Sequence, residues 1–152
     1  MRTTSKQQPG FLIRWAIRRD ISEMLMIGAA RDREELIALL RRRDVIAKVV
    51  EMPADSDGYT IAGLIVYSLH KTHFGILDIA VRYSMQRQGV ASLLIDKMKG
   101  KLSKHRPRLE VIVPEGLQFL DAQLFFSSQG FAARCREGGG ISMIFSNAVC
   151  HV

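Results

Sequence analysis

The feature that most constrains this chain is a strand, a glycine-containing turn and a helix in direct succession over residues 76–104. The strand is Ile76-Leu-Asp-Ile-Ala-Val81, and the turn contains Gln86-Arg-Gln-Gly89-Val-Ala91. The first N–H groups of a helix have no partner within it, and the helix dipole adds partial positive charge there. Small residues at this end keep the backbone approachable. The run therefore predicts an anion site, although a plain strand-to-helix connection has the same pattern.

Two common phosphate-binding motifs are absent from the sequence, which contains neither Gly-x-x-x-x-Gly-Lys-Ser/Thr nor Gly-x-Gly-x-x-Gly. The spacing that is present, Gln86-x-x-Gly89-x-Ala91 after an apolar strand, resembles the acetyl-CoA-binding signature Q/R-x-x-G-x-G/A of the GCN5-related N-acetyltransferase (GNAT) superfamily. Residues 78–94 most resemble the branch that acetylates protein N-termini, including ribosomal-protein alanine acetyltransferases.

Two further segments carry the same resemblance in the expected order. Leu109-Glu110-Val111 resembles the L-E-V strand of the N-terminal acetyltransferases. Ala122-Gln-Leu-Phe-Phe-Ser-Ser-Gln-Gly-Phe131 resembles their A-x-x-L-[FY]-x-x-x-G-F helix end. The resemblance implies an α/β (α+β) fold with a single GNAT-like domain. Its mixed, mostly antiparallel central sheet would have about six to seven strands flanked by about four helices, and would splay between the fourth and fifth strands.

The predicted elements agree with that order, namely strand, two helices, three strands, helix, strand, helix and two strands. Asp20 with Glu23 and Asp32 with Glu35 have the spacing of capping boxes at two helix starts. Strands are predicted at residues 11–18, 45–52, 59–69, 74–81, 108–113, 131–136 and 141–146. The later helices are predicted at residues 92–102 and 117–128. His70 and His73 are interpreted as turn residues, residues 1–10 as a flexible segment, and residues 11–149 as the acetyltransferase domain.

Composition fits a soluble domain with a basic surface. Of 152 residues, 47% are hydrophobic, which is enough for one core, and the formal net charge is +7. A basic surface suits acidic partners, including the phosphates of CoA, but no basic-plus-aromatic nucleic-acid motif is present and nucleic acid is not an expected partner. Two cysteines form no disulfide framework, so a cytoplasmic location is the default. No apolar run has the length of a membrane span, and no membrane partner is expected.

The resemblance assigns the cosubstrate-binding residues. The strand residues would meet the pantetheine arm, one of their N–H groups polarising the thioester carbonyl, and the turn and first helical residues would hold the pyrophosphate. Arg87 could instead simply face solvent. No metal is expected. The residues assigned to acetyl-CoA are Ile79, Ala80, Val81, Arg87, Gln88, Gly89, Val90, Ala91 and Ser92.

A carboxylate is needed to take the proton of the acceptor amine. Glu110 is the first candidate, since it lies in an apolar strand and matches the family's catalytic glutamate by position. Its alternative role is that of an ordinary salt-bridged strand residue. Asp78 on the neighbouring strand is the second candidate.

The sequence departs from the family pattern on the acceptor side. Phe126 stands where the family has a tyrosine as general acid, and Phe119 stands where it has a CoA-contacting asparagine. The tyrosine-rich, acidic tail that shapes the peptide site is replaced by Glu137-Gly-Gly-Gly140.

The function expected is acetyl transfer from acetyl-CoA to a primary amine, with a protein or peptide N-terminus favoured. A small-molecule amine as acceptor and a catalytically weak acyl-CoA-binding sensor are the alternatives. The oligomeric state stays open between monomer and homodimer.

Overall fold

The computed structural model describes residues 10–28, 32–54 and 58–147. The predicted flexible segment therefore lies outside the described residues except for Gly10, and so do the last positions of the predicted domain. The strands in the described ranges, numbered β1 to β7, are Leu12–Trp15, Val45–Pro53, Tyr59–Leu69, His73–Val81, Arg108–Pro114, Ala132–Glu137 and Gly140–Ser146. The α-helices, numbered α1 to α4, are Ile21–Ile27, Arg33–Leu40, Val90–Lys99 and Leu120–Ser128.

The strands form a seven-stranded sheet in the order β1-β2-β3-β4-β5-β7-β6. β5 and β6 each pair antiparallel with β7, and β1 pairs antiparallel with β2. β4 and β5 pair in parallel from His73↔Arg108 to Ile76↔Val111, and β4 then continues to Val81. The predicted mixed sheet that is mostly antiparallel and splays between its fourth and fifth strands is confirmed.

The chain divides into two compact units. The first comprises Met1–Val66 and Asp78–Leu94, and the second comprises Tyr67–Leu77 and Ile95–Val152. The core of the first unit is made of apolar side chains from α1, α2, β2 and β3. Its buried members are Ile21, Met24, Leu36, Val45, Ala47, Val49, Ile61, Leu64 and Val66.

In the second unit, aromatic rings pack against one another at the end of α4. Phe126 and Phe131 meet edge to face at 5.1 Å, and Phe131 contacts Phe145 at 5.8 Å. Lys99 donates to the carbonyl of Gln129 at 2.6 Å and lies 4.3 Å from the Phe145 ring centre. A cation at this position satisfies a terminal carbonyl and complements the helix dipole.

Helix boundaries differ slightly from those predicted. α3 begins at Val90 and ends at Lys99, where the sequence predicts residues 92–102. The segment predicted as a helix from residue 117 begins with a 3-10 turn, Leu117–Phe119, before α4 starts at Leu120. Ends of helices commonly tighten in this way.

One predicted capping box is present and the other is not. Asp32 accepts from the N–H of Glu35 at 2.8 Å, and Glu35 accepts from the N–H of Asp32 at 3.1 Å. The box predicted from Asp20 and Glu23 is wrong because both carboxylates are drawn to tertiary partners. Asp20 accepts from Arg14 at 2.8 and 3.0 Å and from the N–H of Ile17 at 2.7 Å.

Asp20 is a buried carboxylate, and its ionisation is linked to stability. Burial acts to raise the pKa of Asp20, but the hydrogen bonds from Arg14 and from the N–H of Ile17 outweigh it and hold the pKa below its usual value of 3.8. A carboxyl whose folded-state pKa is lowered stabilises the fold above its unfolded pKa, and this contribution is lost as the pH falls through the folded pKa.

Replacement of Asp20 by Asn is expected to lower the free energy of unfolding by about 2 kcal/mol near pH 7, since charge-assisted hydrogen bonds are lost. Urea unfolding followed by circular dichroism measures this. The difference between wild type and variant should shrink as the pH falls below about 4 and should be lost only once the folded carboxyl is protonated, because its folded-state pKa is lowered. Asp44→Asn, which removes the exposed ion pair with Arg42, is the control and should cost much less unfolding free energy than Asp20→Asn. Equal losses in the two variants would contradict the assignment.

Candidate functional site

The turn between β4 and α3 has an unusual backbone. After β4 comes a 3-10 turn, Tyr83–Met85, and then two residues with positive φ, Arg87 at 67° and Gly89 at 81°. The N–H of Leu93 donates to the carbonyl of Gly89 at 2.9 Å, which sets the first turn of α3. Left-handed residues in such turns make concave arrays of N–H groups that bind anions.

Space is open at the start of this helix. Gly89 is exposed, and a Cβ added there would meet no heavy atom within 4 Å. Arg87 is also exposed, so its guanidinium can reach a ligand at the helix end. The turn therefore combines room, exposed backbone and positive charge, which suit a pyrophosphate.

Gly63 lies in the same unit and, unlike Gly89, has no space for a side chain. A Cβ at Gly63 would lie 2.8 Å from Cγ1 of Val90 and 3.0 Å from the carbonyl oxygen of Ala80. Gly63 thus lets the first residue of α3 and the end of β4 pack directly on β3. A glycine within a strand often marks such a close backbone approach.

Arg82, the residue after β4, anchors the start of the turn. Its N–H donates to the carbonyl of Ala62 and its Nε donates to the carbonyl of Ile61, both at 2.8 Å. Its Nη2 forms an ion pair with Glu23 of α1. Glu23 also accepts from the N–H of Ile61 at 2.9 Å, so the carboxylate predicted to cap α1 instead ties α1 to β3 and Arg82.

The predicted cosubstrate residues all fall in the first unit. Ile79, Ala80 and Val81 are half-buried on β4, beyond the last pair of β4 with β5 at Ile76. Asp78 is half-buried on the same stretch.

Glu110, the first candidate for the base, belongs to the second unit. It lies on β5 opposite Gly75 of β4 and Ile144 of β7. Its Oε2 accepts from Nε of Arg108 at 3.2 Å, and its Oε1 lies 3.6 Å from Nε2 of His73. The carboxylate is half-buried, as a base that must reach a substrate requires.

Several of these residues were missed by the sequence interpretation. His73 is wrong as a turn residue, because it begins β4 and contacts Glu110. The ion pair of Arg82 with Glu23 has no local sequence signal, since it joins positions far apart in the chain. Gly63 did carry one, as a glycine inside an apolar strand.

Comparison with known families gives one decisive match. The family described as "Acetyltransferase (GNAT) domain" matches residues 23–144, which is more than half of the chain. The chain belongs to the GNAT acetyltransferase family.

Solved structures of low sequence identity share the GNAT fold. The PaiA N-acetyltransferase of Thermoplasma acidophilum, solved with coenzyme A, is 16% identical with a TM-score of 0.69 and covers 90% of this chain and 99% of its own. Ard1 of Thermoplasma volcanium is 19% identical with a TM-score of 0.72, covering 90% and 97%. Arabidopsis thaliana NAA60, solved with acetyl-CoA, is 12% identical with a TM-score of 0.70, covering 90% and 97%. The comparison with curated proteins gave no match.

Family membership confirms the predictions of an N-acetyltransferase and of acetyl-CoA as its cosubstrate. The backbone at Gly89 fits that cosubstrate, since the open space there lies at a helix N-terminus. Across residues 10–28, 32–54 and 58–147 there is no group of three His, Cys, Asp or Glu side chains placed to hold a metal ion. No helix among the same residues is long and apolar enough to span a membrane.

The GNAT departure at Phe126 has a structural counterpart. The ring is buried at 3% exposure and packs between Phe125 and Phe131. Tyr67 is also buried, and burial raises the pKa of its phenol. Tyr83 is 87% exposed on the 3-10 turn. A phenyl ring in the core has no proton to give, so Phe126 serves packing.

Gly63→Ala is expected to weaken both the fold and acetyl-CoA binding. The added methyl group overpacks the contact with Val90 and Ala80, which costs about 1–3 kcal/mol of unfolding free energy. The methyl group also displaces the start of α3, so calorimetry should show a larger Kd for acetyl-CoA. Gly58→Ala is the matched control, because a Cβ there meets nothing within 4 Å. A wild-type affinity for acetyl-CoA in Gly63→Ala would contradict the role of Gly63 in positioning the start of α3.

Proposed function

We propose that this protein transfers the acetyl group of acetyl-CoA to a primary amine, with a protein or peptide N-terminus as the favoured acceptor. The observation that carries the cosubstrate half is the exposed turn before α3, where Arg87 and Gly89 have positive φ and Gly89 faces open space. The proposal for the acceptor rests on the resemblance of residues 109–111 and 122–131 to the N-terminal acetyltransferases.

The pyrophosphate would be held mainly by backbone N–H groups of the first turn of α3. Gly89, Val90 and Ala91 supply these groups, and their small or inward side chains leave them accessible. Arg87 would add charge, and Gln88 and Ser92 would add side-chain polar groups. Binding by backbone at a helix N-terminus needs no further side chain.

The pantetheine arm would run along β4 past the point where its pairing with β5 ends. Ile79, Ala80 and Val81 lie on that stretch. An N–H group aimed at the thioester carbonyl would stabilise the negative charge that develops on its oxygen during attack.

Acetyl-CoA supplies an activated acetyl group, so the protein mainly handles protons. As the C–N bond forms and the C–S bond breaks, one proton leaves the amine and one reaches the thiolate. Glu110 would take the first, directly or through water, and Asp78 is the alternative base. With Phe126 buried in the core, water or the ammonium itself would protonate the thiolate.

Phe119 and Phe126 stand where the family pattern has asparagine and tyrosine, and this favours testing two other functions. A small-molecule amine needs no peptide-shaped groove, and a sensor would bind acyl-CoA without turnover. Release of free thiol with a panel of acceptors separates these possibilities. Peptides with a free α-amine should be acetylated faster than the same peptides with blocked N-termini and faster than polyamines. Turnover of polyamines alone would favour the small-molecule enzyme, and binding without any thiol release would favour the sensor.

Gly89→Glu is expected to abolish acetyl-CoA binding in calorimetry, because a carboxylate would project into the space assigned to the pyrophosphate. Gly138→Glu is the matched control. Gly138 also has a positive φ, at 60°, and also meets nothing within 4 Å, so backbone strain and added charge are comparable. Binding that survives in Gly89→Glu, or is lost equally in both variants, would remove the phosphate site from this turn.

Glu110→Gln is expected to lower kcat by about 100-fold or more while leaving the Kd for acetyl-CoA near that of wild type, since general bases typically contribute on this scale. The acid limb of the pH–rate profile should change as well. Asp78→Asn tests the rival base in parallel. A larger loss of kcat in Asp78→Asn than in Glu110→Gln would identify Asp78 as the base. An unaltered pH profile in Glu110→Gln would show that Glu110 is not the base.

A further inference from the structure

A chain of contacting polar side chains in the second unit leads to the carboxylate of Glu110. We refer to it as the His73 cluster. Its members come from β3, the following turn, β4 and β5. They are Ser68, His70, His73, Arg108 and Glu110. The acetyl-transfer chemistry described above uses only Glu110, which leaves the two histidines without a role.

The position of His73 is set by the parallel pairing of β4 and β5. It lies directly opposite Arg108, two residues from Glu110. Gly75 lies opposite Glu110, so β4 presents no side chain there. The imidazole of His73 and the guanidinium of Arg108 therefore approach the two oxygens of the same carboxylate, at 3.6 and 3.2 Å.

The imidazole of His73 is held in place by His70. The two rings stack with centres 4.4 Å apart and planes within 9°. The exposed His70 has two contacts of its own, since its Nε2 lies 2.8 Å from Oγ of the buried Ser68 and its carbonyl accepts from Arg106 at 2.6 Å. A ring packed in this way has little freedom to turn.

The two nitrogens of His73 differ in their surroundings. Nδ1 is buried, and no hydrogen-bond partner for it occurs among the described residues. Nε2 faces the carboxylate of Glu110. The neutral ring is therefore assigned its proton on Nε2, where the N–H points at an acceptor.

The charges around His73 favour the neutral ring. Burial lowers the pKa of His73, Glu110 acts to raise it, and His70 and Arg108 act to lower it further, with a net decrease. The turn also carries the exposed Lys71. On β7, the residues opposite Glu110 and Arg108 are the uncharged Ile144 and Ser146. Near neutral pH the ring is uncharged, and its Nε2 faces the Glu110 carboxylate at 3.6 Å, close enough for a polar contact.

We propose that His73 is a positioning residue for Glu110, its Nε2–H and the guanidinium of Arg108 together orienting the carboxylate that takes the amine proton. This role rests on the proposed function. A polar group placed behind a reactive side chain in this way fixes the orientation of that side chain without touching the substrate. Protonation of the ring turns the contact into a full ion pair, and a carboxylate held by two cations takes up a proton less readily. The His73–Glu110 pair therefore makes kcat decrease more steeply with falling pH than Glu110 alone would.

Two substitutions separate orientation from charge. His73→Gln keeps an N–H donor but cannot become a cation, whereas His73→Leu removes both. His73→Leu is expected to lower kcat by about 10-fold with KM for acetyl-CoA unchanged. His73→Gln is expected to restore most of kcat and to flatten the acid limb, so that relative activity near pH 5.5 exceeds that of wild type. His105→Gln, at an exposed histidine, is the matched control and should leave both unchanged.

A spectroscopic measurement tests the contact without turnover. In NMR titrations of the histidine rings, Glu110→Gln should lower the pKa of His73 below its wild-type value, because the neighbouring negative charge is gone, and should leave His105 unaffected. An unmoved His73 titration, or a wild-type pH profile in both His73 variants of an active enzyme, overturns the inference. Failure of the wild type to release thiol with any amine overturns the proposed function instead, and the catalytic role of His73 with it.

Discussion

The guanidinium of Arg82 anchors the start of the turn that we propose as the anion site. Its Nε donates to the carbonyl of Ile61 on β3 and its Nη2 pairs with Glu23 of α1, while the backbone N–H of Arg82 donates to the carbonyl of Ala62. Charge-assisted hydrogen bonds are stronger than neutral ones, and removal of either partner would leave the other charge partly buried and unpaired. The turn that follows begins from this fixed point, so the path of residues 83–89 depends on a carboxylate of the first helix.

Gly63 and Gly89 of the first unit contribute to the proposed site through their backbone, because neither has a side chain. Gly63 removes a side chain where α3 must approach β3, and Gly89 leaves open space where the helix begins. A site built from N–H groups needs few particular side chains. Such a site is compatible with the low identity, 12–19%, of structures that share the fold of this chain with TM-scores from 0.69 to 0.72. The acceptor side depends on side chains, and there Phe119 and Phe126 depart from the family pattern.

The parts of the structure that follow from local pattern were predictable from the sequence. The order of elements, the run from β4 through Gly89 into α3 and the cap at Asp32 all depend on residues close in the chain. The errors arose where distant residues compete. Asp20 pairs with Arg14 and Glu23 pairs with Arg82, because a partly buried ion pair is more favourable than an exposed cap. The local pattern at His73 predicts a turn residue, whereas its proximity to Glu110 follows from the β4–β5 register, which no local pattern encodes.

The most direct test of the anion site is the change in backbone amide chemical shifts when CoA is added to the wild-type protein. The largest changes should fall on Gly89, Val90 and Ala91, with a second group at residues 79–81. Inorganic pyrophosphate alone should reproduce the first group and not the second, since it lacks the pantetheine arm. Changes concentrated elsewhere, with the amides of residues 87–92 unmoved, would contradict the claim that this turn holds the cosubstrate.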